Sequence, residues 1–149
     1  MKTGSYVDGK WYHPTGGSRL VKNTNPADTK DVIAEFPAAT AKDVEKAIAG
    51  AKKAFESWSK TPAPSRGRVL ARAAEIARRR KDEIARTMTR EQGKVLKEAR
   101  GEVDKGIACL EFNAGEGFRI QGKTLPCELK DVFTYTIRRP LGVVGLITP

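Results

Sequence analysis

Histidine is nearly absent: His13 is the only one among 149 residues. It lies in a turn-rich stretch, where a surface position is expected rather than a role as catalytic base. Cysteine is scarce too. Cys109 and Cys127 are not spaced as metal ligands, and a disulfide in a reducing compartment would be unusual, so both are expected to be buried or idle thiols. These shortages argue against a Cys/His metal centre, and no metal ligand is assigned. No Ser/His/Asp or Cys/His arrangement can be drawn, so no catalytic residue is assigned either. Gly142-Val-Val-Gly145 is not a phosphate loop, because it lacks the G-x-G-x-x-G spacing and no helix follows it. No apolar run approaches the length of a membrane span, which predicts no transmembrane helix and no membrane partner. The opening Met-Lys-Thr-Gly-Ser-Tyr has no apolar signal core, and the expected location is the cytoplasm. Internal repeats and low-complexity segments are also missing.

What is present suits a globular chain. Hydrophobic residues make up 39% and charged residues 31%, too apolar and too mixed in charge for a disordered segment. The formal net charge is +10, and it is unevenly placed. Lys and Arg crowd residues 60–100, where they outnumber Asp and Glu by more than two to one. Two readings are open there: an electrostatic footprint for nucleic acid along Arg66 to Arg100, or the solvated face of amphipathic helices. The arginines alternate with Glu75, Asp82 and Glu83, and the stretch has no aromatics for base stacking, which favours the helix face and predicts no nucleic-acid partner.

Local patterns give the elements. Tyr6 to Tyr12 places Asp8-Gly9 between two apolar-aromatic pieces, a strong hairpin signal. Gly16-Gly17 marks a further turn. Val21–Asn25 and Asp31–Phe36 read as short polar edge strands. A first helix opens at Thr40 with the capping-box spacing Thr40-Ala-Lys-Asp43 and carries Val44, Ala47, Ile48, Ala51, Phe55 and Trp58 at helical intervals, before Pro62 and Pro64 end it. A second helix is expected with Ser65 as its cap and Val69, Leu70, Ala73, Ile76 and Ala77 as its stripe. Its stripe would bring Arg80 inward, so a break is expected near Arg80–Asp82. A short helix with Ile84 and Met88 then stops at Gly93. A fourth runs from about Val95 to Ala114 with Leu96, Ala99, Val103, Ile107 and Leu110 on one face, closed by Gly115 and Gly117.

Two β-rich stretches follow. Val132–Arg138 alternates as an antiparallel strand with one wet face does. Val143 to Ile147 is a short apolar run, rich in β-branched residues and bounded by Arg139-Pro140 and Thr148-Pro149. Such a run suits a strand buried on both faces in a parallel sheet. Ligands sit at the carboxyl ends of such strands. A buried central strand needs neighbours and covering helices, so the chain is expected to be the front part of a larger α/β protein.

In order along the chain, Asn25-Pro26-Ala-Asp, Ala47 to Phe55 with Trp58, Ser65-Arg-Gly-Arg-Val-Leu70, Glu91-Gln-Gly-Lys94, Gly122-Lys-Thr-Leu-Pro126 and Arg139 to Pro149 resemble the N-terminal portion of the NAD(P)-dependent aldehyde dehydrogenases. The resemblance runs from about Tyr6 to Pro149. It implies an α/β fold with a short β-hairpin region, three to four helices, an oligomerisation strand and the first strand of a Rossmann-like sheet. The implied divisions are residues 1–125 as the N-terminal part of the cofactor-binding domain, 126–139 as the oligomerisation strand, and 140–149 as the first strand of the dinucleotide-binding sheet.

The resemblance also implies NAD or NADP as cofactor, a small-molecule aldehyde as substrate, and a homodimer or homotetramer when intact. Ile147, Thr148 and Pro149 fall where the family lines its cofactor groove. In the family a thiolate adds to the aldehyde, the oxyanion is held by preorganised donors, hydride leaves to the nicotinamide and an activated water hydrolyses the thioester. The family's nucleophilic cysteine and its glutamate base lie farther along than Pro149, and neither Cys109 nor Cys127 matches the nucleophile. The isolated chain is therefore expected to be inactive. Gly117-Phe-Arg119-Ile-Gln-Gly122 resembles a stretch of the semialdehyde dehydrogenases, which makes Arg119 the candidate for a substrate's distal carboxylate. The alternative is a solvated arginine favoured by the helix dipole at a C-terminus. A non-catalytic basic helical assembly or nucleic-acid-binding fragment is the competing reading of the whole chain.

Overall fold

A computed structural model describes residues 4–13 and 19–148. The Gly16-Gly17 turn and Pro149 lie outside the described residues. The element order is β1 (Ser5–Val7), β2 (Lys10–Tyr12), β3 (Leu20–Asn25), β4 (Asp28–Pro37), α1 (Ala41–Trp58), α2 (Ala63–Arg79), α3 (Lys81–Gln92), α4 (Leu96–Glu116), β5 (Thr124–Leu125) and β6 (Thr134–Tyr135). The strands form three separate two-stranded antiparallel sheets, β1–β2, β3–β4 and β5–β6.

The first hairpin turns where expected. Asp8 and Gly9 both take positive φ, 51° and 74°, the geometry that Asp-Gly supplies to a two-residue hairpin loop. Tyr6 pairs with Trp11, and their rings meet edge to face with centroids 5.5 Å apart. In β3–β4 the Asn25 carboxamide accepts from the Ala27 N–H at 3.0 Å and so shapes the turn itself. The register slips between Asn23 and Asn25. Residues 29–31 are left over opposite Asn25, and this irregularity turns Asp31 toward α3.

The capping box at α1 forms with aspartate in the glutamate's place. The Asp43 N–H donates to Thr40 Oγ1 at 3.3 Å, and the Thr40 N–H donates to Asp43 Oδ2 at 2.7 Å. The break between α2 and α3 falls at Arg80, as the charge in the stripe required; its side chain turns out to Glu83. Gly93 ends α3 in the left-handed conformation, its N–H donating to the Thr89 carbonyl at 2.8 Å.

The core is small and lies between α2, α3 and α4. Ala74, Ala85, Ala99, Val103 and Ile107 are buried, with Ala77, Ile84, Met88, Leu96 and Leu110 packed around them. The expected α4 stripe is therefore the one that forms. α2 and α4 run antiparallel in close contact. Gly67 is buried, and a Cβ there would run into the Ala114 carbonyl oxygen; one at Gly117 would meet the backbone of Ala63 and Pro64.

Several expectations are corrected. Ser65 does not cap α2: Pro62 holds the cap position, and the Ser65 hydroxyl lies inside the helix, accepting from Arg68. Proline fits a first turn, whose N–H groups need no helical partner. Gly115 lies within α4, which continues to Glu116 before Gly117 caps it. Val69 and Ile76, placed in the α2 stripe, are exposed, while Ala74 is buried instead. The α1 stripe has no buried member, and Val44, Ile48 and Trp58 stay largely exposed. Cys109 and Cys127 are both free and exposed rather than buried. The strand expected over Val132–Arg138 shrinks to Thr134–Tyr135, paired with Thr124–Leu125. Val143 to Ile147 carries no ladder at all. A strand exists by the backbone partners beside it, and among the described residues none lies beside this run.

Candidate functional site

Arg119 follows the last turn of α4, its N–H donating to the Glu116 carbonyl at 2.9 Å. The side chain folds back along the helix. Nε and Nη2 donate to Glu116 Oε1 at 2.9 and 2.7 Å, and Nη2 reaches the Phe112 carbonyl at 3.4 Å. The guanidinium carbon sits 5.8 Å from the centroid of the Phe112 ring. Gly115 makes room for this fold-back, since a Cβ there would press on the guanidinium nitrogens. Glu116, Arg119, Ile120, Gln121 and Arg138 together line a shallow groove. The sequence reading found Arg119 but missed Arg138, which reaches the groove from beyond β6, and Glu116. The spacing of Glu116 three residues before Arg119 was the available signal for the ion pair.

The other candidates lie apart from any formed site. Ile147 is fully exposed and Thr148 exposed, in a segment without ladder bonds. Pro149 is outside the described residues. His13 is exposed. Among the described residues no group of three His, Cys, Asp or Glu is placed to hold a metal ion, and no described helix is long and apolar enough to cross a membrane.

Among the described residues, seven of the thirteen Lys and Arg side chains in residues 60–100 lie in ion pairs. Arg78 pairs with Glu111 at 2.5 Å, Lys81 with Asp104 at 2.6 Å and Arg100 with Asp82 at 2.8 Å, all between helices. Lys94 pairs with Glu102 and Arg80 with Glu83. Arg90 reaches Asp31 on β4. Hydrogen bonds from arginine hold the Asp82, Glu83 and Asp31 carboxyls below their ordinary range. Asp43 is lowered as well, first by the Thr40 N–H, then by the Thr40 and Tyr12 hydroxyls. The pairs between elements tie α2, α3, α4 and the β3–β4 hairpin to one another, and for these residues the helix-face reading is the one that fits.

The profile of the aldehyde dehydrogenase family matches residues 11–149. The chain belongs to the aldehyde dehydrogenase family. It is similar to the alpha-ketoglutaric semialdehyde dehydrogenase of Bacillus subtilis, 43% identical over 145 residues, which are 97% of this chain and 30% of that protein. It is similar also to malonate-semialdehyde dehydrogenase 1 of Shouchella clausii, 44% identical over 148 residues, 99% of this chain and 30% of the relative. Among solved structures it superposes on betaine aldehyde dehydrogenase of Staphylococcus aureus in complex with NAD+ with a TM-score of 0.86 at 26% identity, covering 93% of this chain and 28% of that one. The chain thus spans about 30% of the length of the curated relatives it matches. For this aldehyde dehydrogenase-family chain, the expected α/β architecture of an N-terminal portion, with a hairpin region and four helices, holds.

Proposed function

We propose that the chain is the N-terminal part of an NAD(P)-dependent aldehyde dehydrogenase that oxidises a carboxylate-bearing semialdehyde to the acid. The observation that carries this is the family match over residues 11–149 together with relatives above 40% identity whose names specify semialdehydes. The neighbouring structure with bound NAD+ supports a nicotinamide cofactor. Residues 140–149 supply the rim of the cofactor groove through Ile147, Thr148 and Pro149, residues 126–139 the oligomerisation arm of a homodimer or homotetramer, and residues 1–125 the flank of the cofactor-binding domain. The exposed backbone at Ile147 and Thr148 fits such a rim but forms no cradle by itself. The cofactor supplies the hydride acceptor; the residues here position and do not react.

For the distal carboxylate the residue put forward is Arg119, with Glu116 holding its guanidinium in place of substrate. A bidentate guanidinium suits a carboxylate better than a lysine does.

The test is a chimera in which residues 1–149 replace the matching segment of the B. subtilis relative. NAD+ and NADP+ reduction is then followed with 2-oxoglutarate semialdehyde and with neutral aldehydes of similar length. The expected outcome is a folded, active chimera that prefers the semialdehyde. A folded, oligomeric chimera that reduces neither cofactor with any aldehyde overturns the reading.

A further inference from the structure

Each strand of the β1–β2 hairpin is three residues long, and an isolated two-stranded hairpin is marginal in water. Its order must come from what it docks on, and that is α1. The Tyr12 hydroxyl donates to Asp43 Oδ1 at 2.8 Å, and the Lys46 ammonium lies over the Tyr12 ring, 4.3 Å from its centroid. At the other end of the hairpin the Asp8 carboxylate occupies the space a Cβ at Gly50 would need. Asp43 and Gly50 lie two turns apart on one face of α1, about 10 Å along the axis, close to the reach of the chain from Asp8 in the turn to Tyr12 at the end of β2.

Asp43 also caps the helix. Its Oδ2 accepts from the Thr40 N–H and Thr40 Oγ1, both at 2.7 Å, while Oδ1 takes the tyrosine. One carboxylate therefore serves two partners through different oxygens. We infer that the N-terminal hairpin is a strap latched onto α1 by Tyr12, and that the shared Asp43 couples docking of the strap to the capped start of the helix. Lys46 on the same helix is the charged group that acts on Asp43, and the Tyr12 phenol on β2 meets it as a neutral donor. Unlatching the tyrosine releases the strap and leaves the cap; losing the carboxylate releases both. The strap rests on none of the reading of catalysis above, so the two fail separately.

Hydrogen exchange of the 149-residue chain tests this. Losing a hydrogen bond to an ionised partner corresponds to about tenfold faster exchange of the amides that depend on it. In Tyr12→Phe, the amides of residues 5–7 and 10–12 should exchange about tenfold faster, with the first turn of α1 unchanged. Asp43→Asn should accelerate both segments together. Thr40→Ala should loosen the first turn alone. Unchanged hairpin exchange in both Tyr12→Phe and Asp43→Asn, with circular dichroism showing α1 intact, overturns the latch. Equal acceleration of both segments in Tyr12→Phe overturns the assignment of separate roles to the two carboxylate oxygens.

Discussion

Asp31 on β4 holds Arg90 on α3 in a two-pronged grip: Nε donates to Oδ2 at 3.0 Å and Nη2 to Oδ1 at 2.5 Å. Asn25 Nδ2 adds a third donor to the same carboxylate at 3.3 Å. The pair joins the β3–β4 hairpin to the helical body, since Asp31 stands in the register slip that turns it toward α3. Arg90→Lys should lower the urea midpoint and Arg90→Ala lower it further, because lysine offers a point charge where the fork is needed. In a double-mutant cycle with Asp31→Asn, additive losses would show that the two side chains do not act together.

Acid should weaken the same contacts. The folded-state carboxyls of Asp31, Asp43, Asp82 and Glu83 all lie below their ordinary values. A depressed folded value means the stabilisation is fully present above the ordinary carboxylate range and is lost as pH falls through the folded value. The urea midpoint should stay level from neutrality to about pH 5 and decline below it. A midpoint that rises on acidification would show that repulsion among carboxylates, not their pairing with arginine and with the Thr40 cap, governs the acid limb.

The α2–α4 contact should be intolerant of volume. Gly67 lies under the Ala114 carbonyl, where even a methyl would force the helices apart. Gly67→Ala should cost about 1–3 kcal/mol through overpacking. Ile107, 5% exposed in the core, should cost about 2–5 kcal/mol on truncation to alanine. Chemical denaturation of both variants measures this. A neutral Gly67→Ala would mean that the helices can slide apart without loss.

The last described segment should govern association. Leu141 is 95%, Leu146 85% and Ile147 103% exposed. Burying such apolar surface stabilises by about 25 cal/mol per Å², and an unpaired apolar segment invites edge pairing. Deleting residues 141–149, or Val144→Lys, should raise solubility and reduce the sedimentation coefficient of residues 1–149. Sedimentation of the unaltered chain as a compact monomer with sharp unfolding would show that the run is buried by other means.

The 149-residue chain alone should not reduce NAD+ or NADP+ with any aldehyde. Cys109 and Cys127 are free and exposed, and neither stands where the resemblance places the family's nucleophile. Steady absorbance at the reduced-cofactor wavelength is the expected trace. Protein-dependent reduction in a pure sample would show that one of these thiols is activated.

Local chemistry was legible wherever a few neighbouring residues suffice. Asp8-Gly9, the Thr40–Asp43 box, the break at Arg80, the stop at Gly93 and the α4 stripe all form where the chain alone placed them. These features depend on φ preference, short-range hydrogen bonds and helical period, none of which needs a distant partner. What the sequence did not decide was which stripe finds a partner. Val44, Ile48 and Trp58 have the period of a buried face yet stay exposed, while small residues such as Ala74, Ala85 and Ala99 fill the core because helices that cross closely select size over hydrophobicity. The β-rich runs Val132–Arg138 and Val143–Ile147 have strand composition, but a ladder is a relation between two segments, and only Thr134–Tyr135 meets one. Family and order of elements were therefore written in the sequence. The arrival of Arg138 beside the local pair of Glu116 and Arg119, the pairing of Asp31 with Arg90 and that of Tyr12 with Asp43 were decided by tertiary structure, because each brings together segments that are distant along the chain.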